Sequence, residues 1–412
     1  MRPSMTVTRA VRSMALSASF ALPSVLWAGA PKPQAAPAHW VASWTASAMT
    51  VENKHTLEAD STVRNVVHLS VGGAAFRVIL TNEYGVEPLV IGGASAALSA
   101  GADAILPANS HPLLFHGKPS LVIPAGAVMV SDPIEMSVKP FADVAISLFV
   151  PGQKLHTLTG HSISLTANFE APGNQIDAPS LSQATKVRPW RFVRAVDVLA
   201  AADAATIVAF GDSISEGFSS AEGMNHRWPN RLAERLAARP ETARFAVADE
   251  AISGNRVLHD DTGPAALRRF DADVLAVSGL KYLIILESIN DIGHMTSHPE
   301  STERPVTAED LINGLNQMIE RAHAHGIRVY GATLTPFEGV HSYSASGEAI
   351  RQQINEFIRH GGRFDDVIDF DKLVADPSHP TRILPEWDKD HIHPNDAGYM
   401  KMGDAVELKL FR

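Results

Sequence analysis

The sequence predicts a two-part protein: an all-β sandwich of jelly-roll-like character over residues 39–170, then an α/β domain over residues 206–412 with a five-stranded parallel sheet. Three observations carry this. Before residue 170 the apolar runs are short or alternating and broken by glycine and proline. After Thr206 short apolar runs alternate with stretches of helical period. The 412 residues also exceed what one core fills, since single cores stop growing at roughly 250 to 300 residues.

The chain begins with Arg2, Arg9 and Arg12, then an apolar stretch from Met14 to Trp27, then Ala28, Gly29 and Ala30. That order is the pattern of a secretory signal peptide. Residues 1–30 are therefore expected to be a signal peptide, cut between Ala28 and Ala38, which places the mature protein in a secreted or periplasmic location. A buried or amphipathic helix is the competing reading, disfavoured because the charges precede the apolar run. That run falls short of the roughly 20 residues a spanning helix needs, so no stable membrane insertion is expected.

Hydrophobic residues at 45% and charged residues at 19% match a globular chain and neither a disordered one nor a coiled coil. A net charge of -10 repels phosphate, which removes nucleic acid from the expected partners. With no cysteine, disulfides, thiol nucleophiles and cysteine-zinc sites are excluded. The sequence specifies no oligomeric state.

In the β part the runs are Thr62 to Val71, Phe76 to Thr81, Leu121 to Ile123 and Val144 to Val150. Between them stand Gly72-Gly73, Gly85, Gly92-Gly93, Pro124 to Gly126 and Pro151-Gly152, the punctuation of antiparallel strands joined by turns. Residues 171–205, with Pro172, Pro179, Pro189 and an alanine-rich end, read as a linker. Strands of the α/β part are expected at Thr206 to Phe210, Arg244 to Ala248, Lys281 to Glu287, Ile327 to Thr333 and Asp366 to Phe370. The clearest helix runs from Ala308 to His325, where Leu311, Leu315, Met318, Ile319 and Ala322 share a face and Gly326 ends it. A parallel sheet binds ligands beyond the carboxyl ends of its strands, so the residues after each strand are the candidates for chemistry.

After the first strand comes Gly211-Asp212-Ser213, a serine at a tight strand-to-helix turn. Taken alone it is equally an N-cap or a phosphate-cradling turn. After the second comes Gly254, able to bring backbone close to a substrate oxygen or simply to turn. After the third comes Asn290, a side-chain amide at the same rim or a turn former. Before the last helix Asp390 stands three residues ahead of His393, where a carboxylate can orient the ring, and Asn395 is placed to cap the helix starting near Asp396.

These four segments, in this order, resemble the SGNH/GDSL hydrolase family over about Thr206 to Arg412. The resemblance implies a flavodoxin-like three-layer αβα domain and a serine ester hydrolase with an acyl-enzyme mechanism. It implies Ser213, His393 and Asp390 as catalytic triad, an oxyanion hole from Ser213, Gly254 and Asn290, and supporting roles for Asp212 and Asp291. It implies no cofactor, and a small-molecule or polysaccharide ester as partner. Two positions depart from the family pattern: Ile214 replaces leucine, and Ser288 stands where glycine is usual, which puts the placement of Asn290 in question.

Removal of acetyl or other short acyl groups from carbohydrate or small esters is the favoured reading. A lipase or lysophospholipase-like esterase is an alternative, as is a non-catalytic carbohydrate-binding protein with a decayed hydrolase domain. His391 and His393 with Asp390 can also be read as a metal cluster, a reading disfavoured because a metal leaves Ser213 unexplained. His161, His226, His294, His298 and His341 read as surface or loop residues. Trp40, Trp44 and Tyr84 are a sugar platform or, more simply, buried core. The Pro336 to Gly347 loop is a candidate substrate-contacting segment.

Overall fold

The computed structural model describes residues 38–51 and 57–412, so the signal peptide expected at residues 1–30 lies outside the described residues. The N-terminal half is antiparallel throughout. One sheet runs in the order His39–Thr45, Val193–Ala200, Phe76–Thr81, Val128–Val130. A larger sheet contains Thr185–Val187, Asn168–Pro172, Ser61–His68, Asp143–Val150 and Gly93–Gly101. Val144, Ile146, Leu148 and Val150, every second residue of one strand, enter the same core as Val41, Val78 and Val196 of the other sheet. That period of two packs the sheets face to face.

Residues 171–205, expected as a linker, instead carry strands at Thr185–Val187, Trp190–Arg191 and Val193–Ala200. The last of these lies inside its sheet, between His39–Thr45 and Phe76–Thr81. Pro179 and Pro189 fall between strands and Pro172 at a strand's last residue, so they leave the ladders intact.

The C-terminal half has five parallel strands: β1 (Ala205–Gly211), β2 (Phe245–Ala251), β3 (Leu280–Leu286), β4 (Arg328–Ala332) and β5 (Asp366–Ile368). Their order is β2-β1-β3-β4-β5, with the direction of winding reversing at β1. The turns after β1, β2 and β3 thus converge on one crevice. Tyr282 to Leu286 is an unbroken buried run, as expected for a strand covered on both faces. Helix Ala308–Ala324 forms where its apolar stripe predicts it, and its start is set by a capping box in which Thr307 and Asp310 bond each other's backbone. Among the described residues no helix is long and apolar enough to cross a membrane.

The halves are built into one another. Ala246 and Ile252 of the α/β half belong to the sandwich core. The Ala42 N–H donates to Ser278 O at 3.0 Å, the Ser47 hydroxyl to Glu250 at 2.7 Å, and Arg194 to Asp273 at 2.8 Å. This seam buries several carboxylates. Burial pushes Asp249 up to about 7; Arg227, 3.7 Å away, works against the shift and Glu216 adds to it. A carboxyl raised in the folded state stabilises the fold fully below its unfolded value near 4, and this contribution is lost as pH rises through about 7. Asp249→Asn is expected to flatten the decline in stability between pH 5 and pH 8 by about 2 to 4 kcal/mol, compared by urea unfolding at both values. An unchanged difference between the two pH values would rule out a proton held at Asp249.

Candidate active site

β1 ends at Gly211, where a β-carbon would sit 2.4 Å from the Ser215 hydroxyl and 2.6 Å from Leu286 O. Only glycine leaves room for this close approach to Ser215 and the end of β3. Asp212 then caps a single helical turn, Ser213–Glu216, by accepting the Ile214 N–H at 2.9 Å, and Gly217 ends it at φ 79°. Ser213 is the first residue of that turn, so its own N–H is one of the donors a helix leaves unpaired. Among the described residues neither this N–H nor that of Gly254 meets a protein acceptor.

Ser213 Oγ lies 2.8 Å from His393 Nε2, and His393 Nδ1 lies 2.9 Å and 3.1 Å from the Asp390 oxygens. Asp390 also accepts the His393 backbone N–H at 2.9 Å. A carboxylate only accepts, so the ring proton sits on Nδ1 and the Nε2 lone pair faces the serine. Burial pulls Asp390 upward, but the hydrogen bonds from the His393 ring and backbone outweigh it and keep its carboxyl below the usual range. The Phe218 ring lies 4.7 Å from the imidazole. Asn395 caps helix Asp396–Ala405 through the Gly398 N–H at 3.1 Å, anchoring the loop that carries the histidine. His391 turns away to Asp388, at 2.8 Å.

Gly254 sits at φ +80°, and a β-carbon there would meet Thr262 Oγ1 at 2.9 Å. The Asn290 amide donates to Asn255 O at 2.9 Å, which ties it to the Gly254 turn. Asp291, fully buried, accepts the Val257 and Leu258 N–H groups at 2.7 and 3.3 Å and holds the chain after Gly254 against β3's end. Burial pushes Asp291 up to about 6, and it raises Asp212 as well. Ser213, Gly254, Asn290, Asp390 and His393 all line one cleft of about 530 Å³, with Phe218, Ile289, Val340 and Ile392 as its apolar wall. Val340, His341 and Ser342, from the loop expected to contact substrate, line it too.

Ser288 keeps a glycine's backbone: φ is 112°, the residue is fully buried, and its hydroxyl has no partner. Asn290 lines the same cleft as Ser213, and the cost of Ser288 falls on stability. Ser288→Gly is expected to raise the unfolding free energy by about 1 to 2 kcal/mol, by relieving the positive φ and removing the buried hydroxyl. Equal urea midpoints for variant and wild type would contradict this.

His161, expected at the surface, is instead 2% exposed at the end of strand Leu158–His161 and bonded to Glu216. Nothing in its neighbourhood of sequence marks it, since its partner is 55 residues away. Glu216 and Ser253 were missed for the same reason. Trp44 packs against Trp190 in the sandwich core at 4.9 Å, while Trp40 lies under Arg77, so these two rings form no shared platform.

Residues 209–401 match the model of the GDSL-like Lipase/Acylhydrolase family. No curated protein matches the chain. Among solved structures, similarity is found to a GDSL-like lipase from Bacteroides thetaiotaomicron, at 18% identity and TM-score 0.35, over 49% of this chain and 85% of that one. An alpha/beta hydrolase from the metagenome of Lake Arreo shares 20% identity at TM-score 0.38, over 49% and 94%. A catalytic mutant of an acetylxylan esterase from Geobacillus stearothermophilus shares 18% at TM-score 0.39, over 49% and 91%.

Proposed function

Residues 209–401 form a GDSL-like lipase/acylhydrolase domain, and on that premise we propose that the protein is a serine ester hydrolase acting on short acyl groups carried by carbohydrate or small alcohols. The observation that carries this reading is the Asp390–His393–Ser213 relay opening into a cleft beside the Ser213 and Gly254 N–H groups, which meet no protein acceptor among the described residues. Ser213 Oγ attacks the ester carbonyl as His393 Nε2 takes its proton, and Asp390 stabilises the resulting imidazolium. The alcohol leaves with the proton from His393, and water then releases the acyl group by the same steps. The N–H groups of Ser213 and Gly254, with the Asn290 amide, stabilise the oxyanion.

Asn290→Ala is expected to lower kcat by about 10² to 10³, the usual loss for one such donor, with KM little changed. Wild-type turnover in that variant would remove Asn290 from the hole. Ser297, His341 and Ser342 in the cleft offer polar groups that suit a sugar or small alcohol, and the short-acyl preference is part of the same proposal. Hydrolysis of a 4-nitrophenyl series from acetyl to dodecanoyl tests it. A maximum at acetyl to butyryl supports the reading, and a maximum at octanoyl or longer favours a lipid substrate. Export is part of the same proposal, resting on the charged-then-apolar order of residues 1–30; the mass of the purified mature chain tests it.

A further inference from the structure

One route by which the sandwich half reaches the cleft is a buried pair, His161 and Glu216. His161 ends strand Leu158–His161, and Glu216 ends the turn that Ser213 begins; both are 2% exposed. His161 Nδ1 lies 2.9 Å from Ser47 O and Nε2 lies 2.6 Å from Glu216 Oε1. A carbonyl and a carboxylate both only accept, so each ring nitrogen carries a proton and the ring is an imidazolium. Burial opposes that charge, but the hydrogen bond and charge of Glu216 outweigh it and hold His161 above the ordinary histidine range. The other Glu216 oxygen accepts the Ser253 hydroxyl.

Ser253 directly precedes Gly254 and lines the cleft. The far side of this turn is held by Asn255, whose carbonyl accepts from Asn290 and whose side-chain oxygen accepts from Arg269 at 2.9 Å. The near side is tied by Glu216 to the very turn that carries Ser213. Resting on the catalytic reading above, we infer that His161 and Glu216 are positioning residues. The imidazolium from the sandwich half locks the Glu216 carboxylate, and through Ser253 this sets the place of the Gly254 N–H relative to Ser213 Oγ. Without His161 the Glu216 carboxylate would lose its buried charged donor, and its hold on the Ser253 hydroxyl would loosen. A displacement of about 1 Å at such a donor costs on the order of 10²-fold in rate.

The test uses the full chain and an acetyl ester. His161→Leu alone leaves a buried charge unpaired and threatens folding, so it is paired with Glu216→Leu, because replacing both members of a buried ion pair by apolar groups is commonly tolerated. The double variant is expected to keep a urea midpoint near wild type while kcat falls about 10- to 100-fold and KM changes less than about twofold. Affinity for phenylboronic acid, whose tetrahedral adduct on Ser213 occupies the same hole, should weaken by the same factor as kcat/KM. His161→Gln, which still donates to Glu216 but carries no charge, should fall between wild type and the double variant in kcat, and Ser253→Ala should add little to the double variant. A folded double variant with wild-type kcat, or a loss confined to KM, overturns the inference. Ser213→Ala in the same assay separates the two readings: if it is inactive while the double variant matches wild type, only the positioning role fails. If Ser213→Ala retains turnover, the catalytic reading falls and the positioning role with it.

Discussion

Ser213→Ala is expected to lose at least about 10⁴ of kcat on a short 4-nitrophenyl ester while remaining folded. The loss is large because the serine cannot be bypassed: His393 Nε2 has no other protein hydroxyl within hydrogen-bond distance among the described residues. The fold survives because the hydroxyl makes one hydrogen bond, worth about 1 kcal/mol, while the backbone turn is held by the Asp212 cap and by Gly211 and Gly217, none of which the substitution touches. The residual rate should sit above that of water alone, since the Ser213 and Gly254 N–H groups and Asn290 still polarise a bound carbonyl. Adding His393→Ala to this variant should cost almost nothing more, because a relay whose nucleophile is gone has nothing left for the base to do. A further tenfold drop on that second substitution would mean the histidine acts outside the relay.

The α/β half was legible in the sequence because its strands are buried on both faces and so read as apolar runs, Tyr282 to Leu286 being the clearest. The site was legible for a related reason. In a parallel sheet the turns after the strands converge in space, so Gly254 and Asn290 could be expected at the same rim as Ser213, and the resemblance to a family pattern added His393, 180 positions beyond Ser213. What stayed hidden was whatever depends on a partner from the other half. Val193–Ala200 carries Arg194 and Asp197, and charges in an alanine-rich stretch look like a solvated connector. In the fold Arg194 pairs with Asp273 and Glu83, and Asp197 with Arg77 and Ser278, so both charges are buried with partners and the strand is central. His161 was misplaced on the same ground. A lone histidine carries no sign of burial until the acceptors on both its nitrogens are known.

Asp390→Asn is expected to lower kcat by about 10³ to 10⁴, and to be at least as damaging as Asp390→Ala. The asymmetry follows from hydrogen-bond direction. Asp390 Oδ1 accepts the His393 backbone N–H at 2.9 Å, and an asparagine would keep that bond by putting its carbonyl oxygen there. Its NH₂ then occupies the Oδ2 position, 2.9 Å from His393 Nδ1. A donor facing Nδ1 demands a lone pair on that nitrogen, which moves the ring proton to Nε2, where it points at Ser213 Oγ. The base is then blocked by its own proton. Alanine forces no such tautomer. Asp390 is 42% exposed, so water reaches the vacated position and can accept the Nδ1 proton. Comparing kcat of the two variants on one acetyl ester, with Ser213→Ala as the floor, decides between these accounts. If alanine proves clearly the worse, the carboxylate acts chiefly through its charge on the imidazolium, and control of the tautomer is the lesser part of its role.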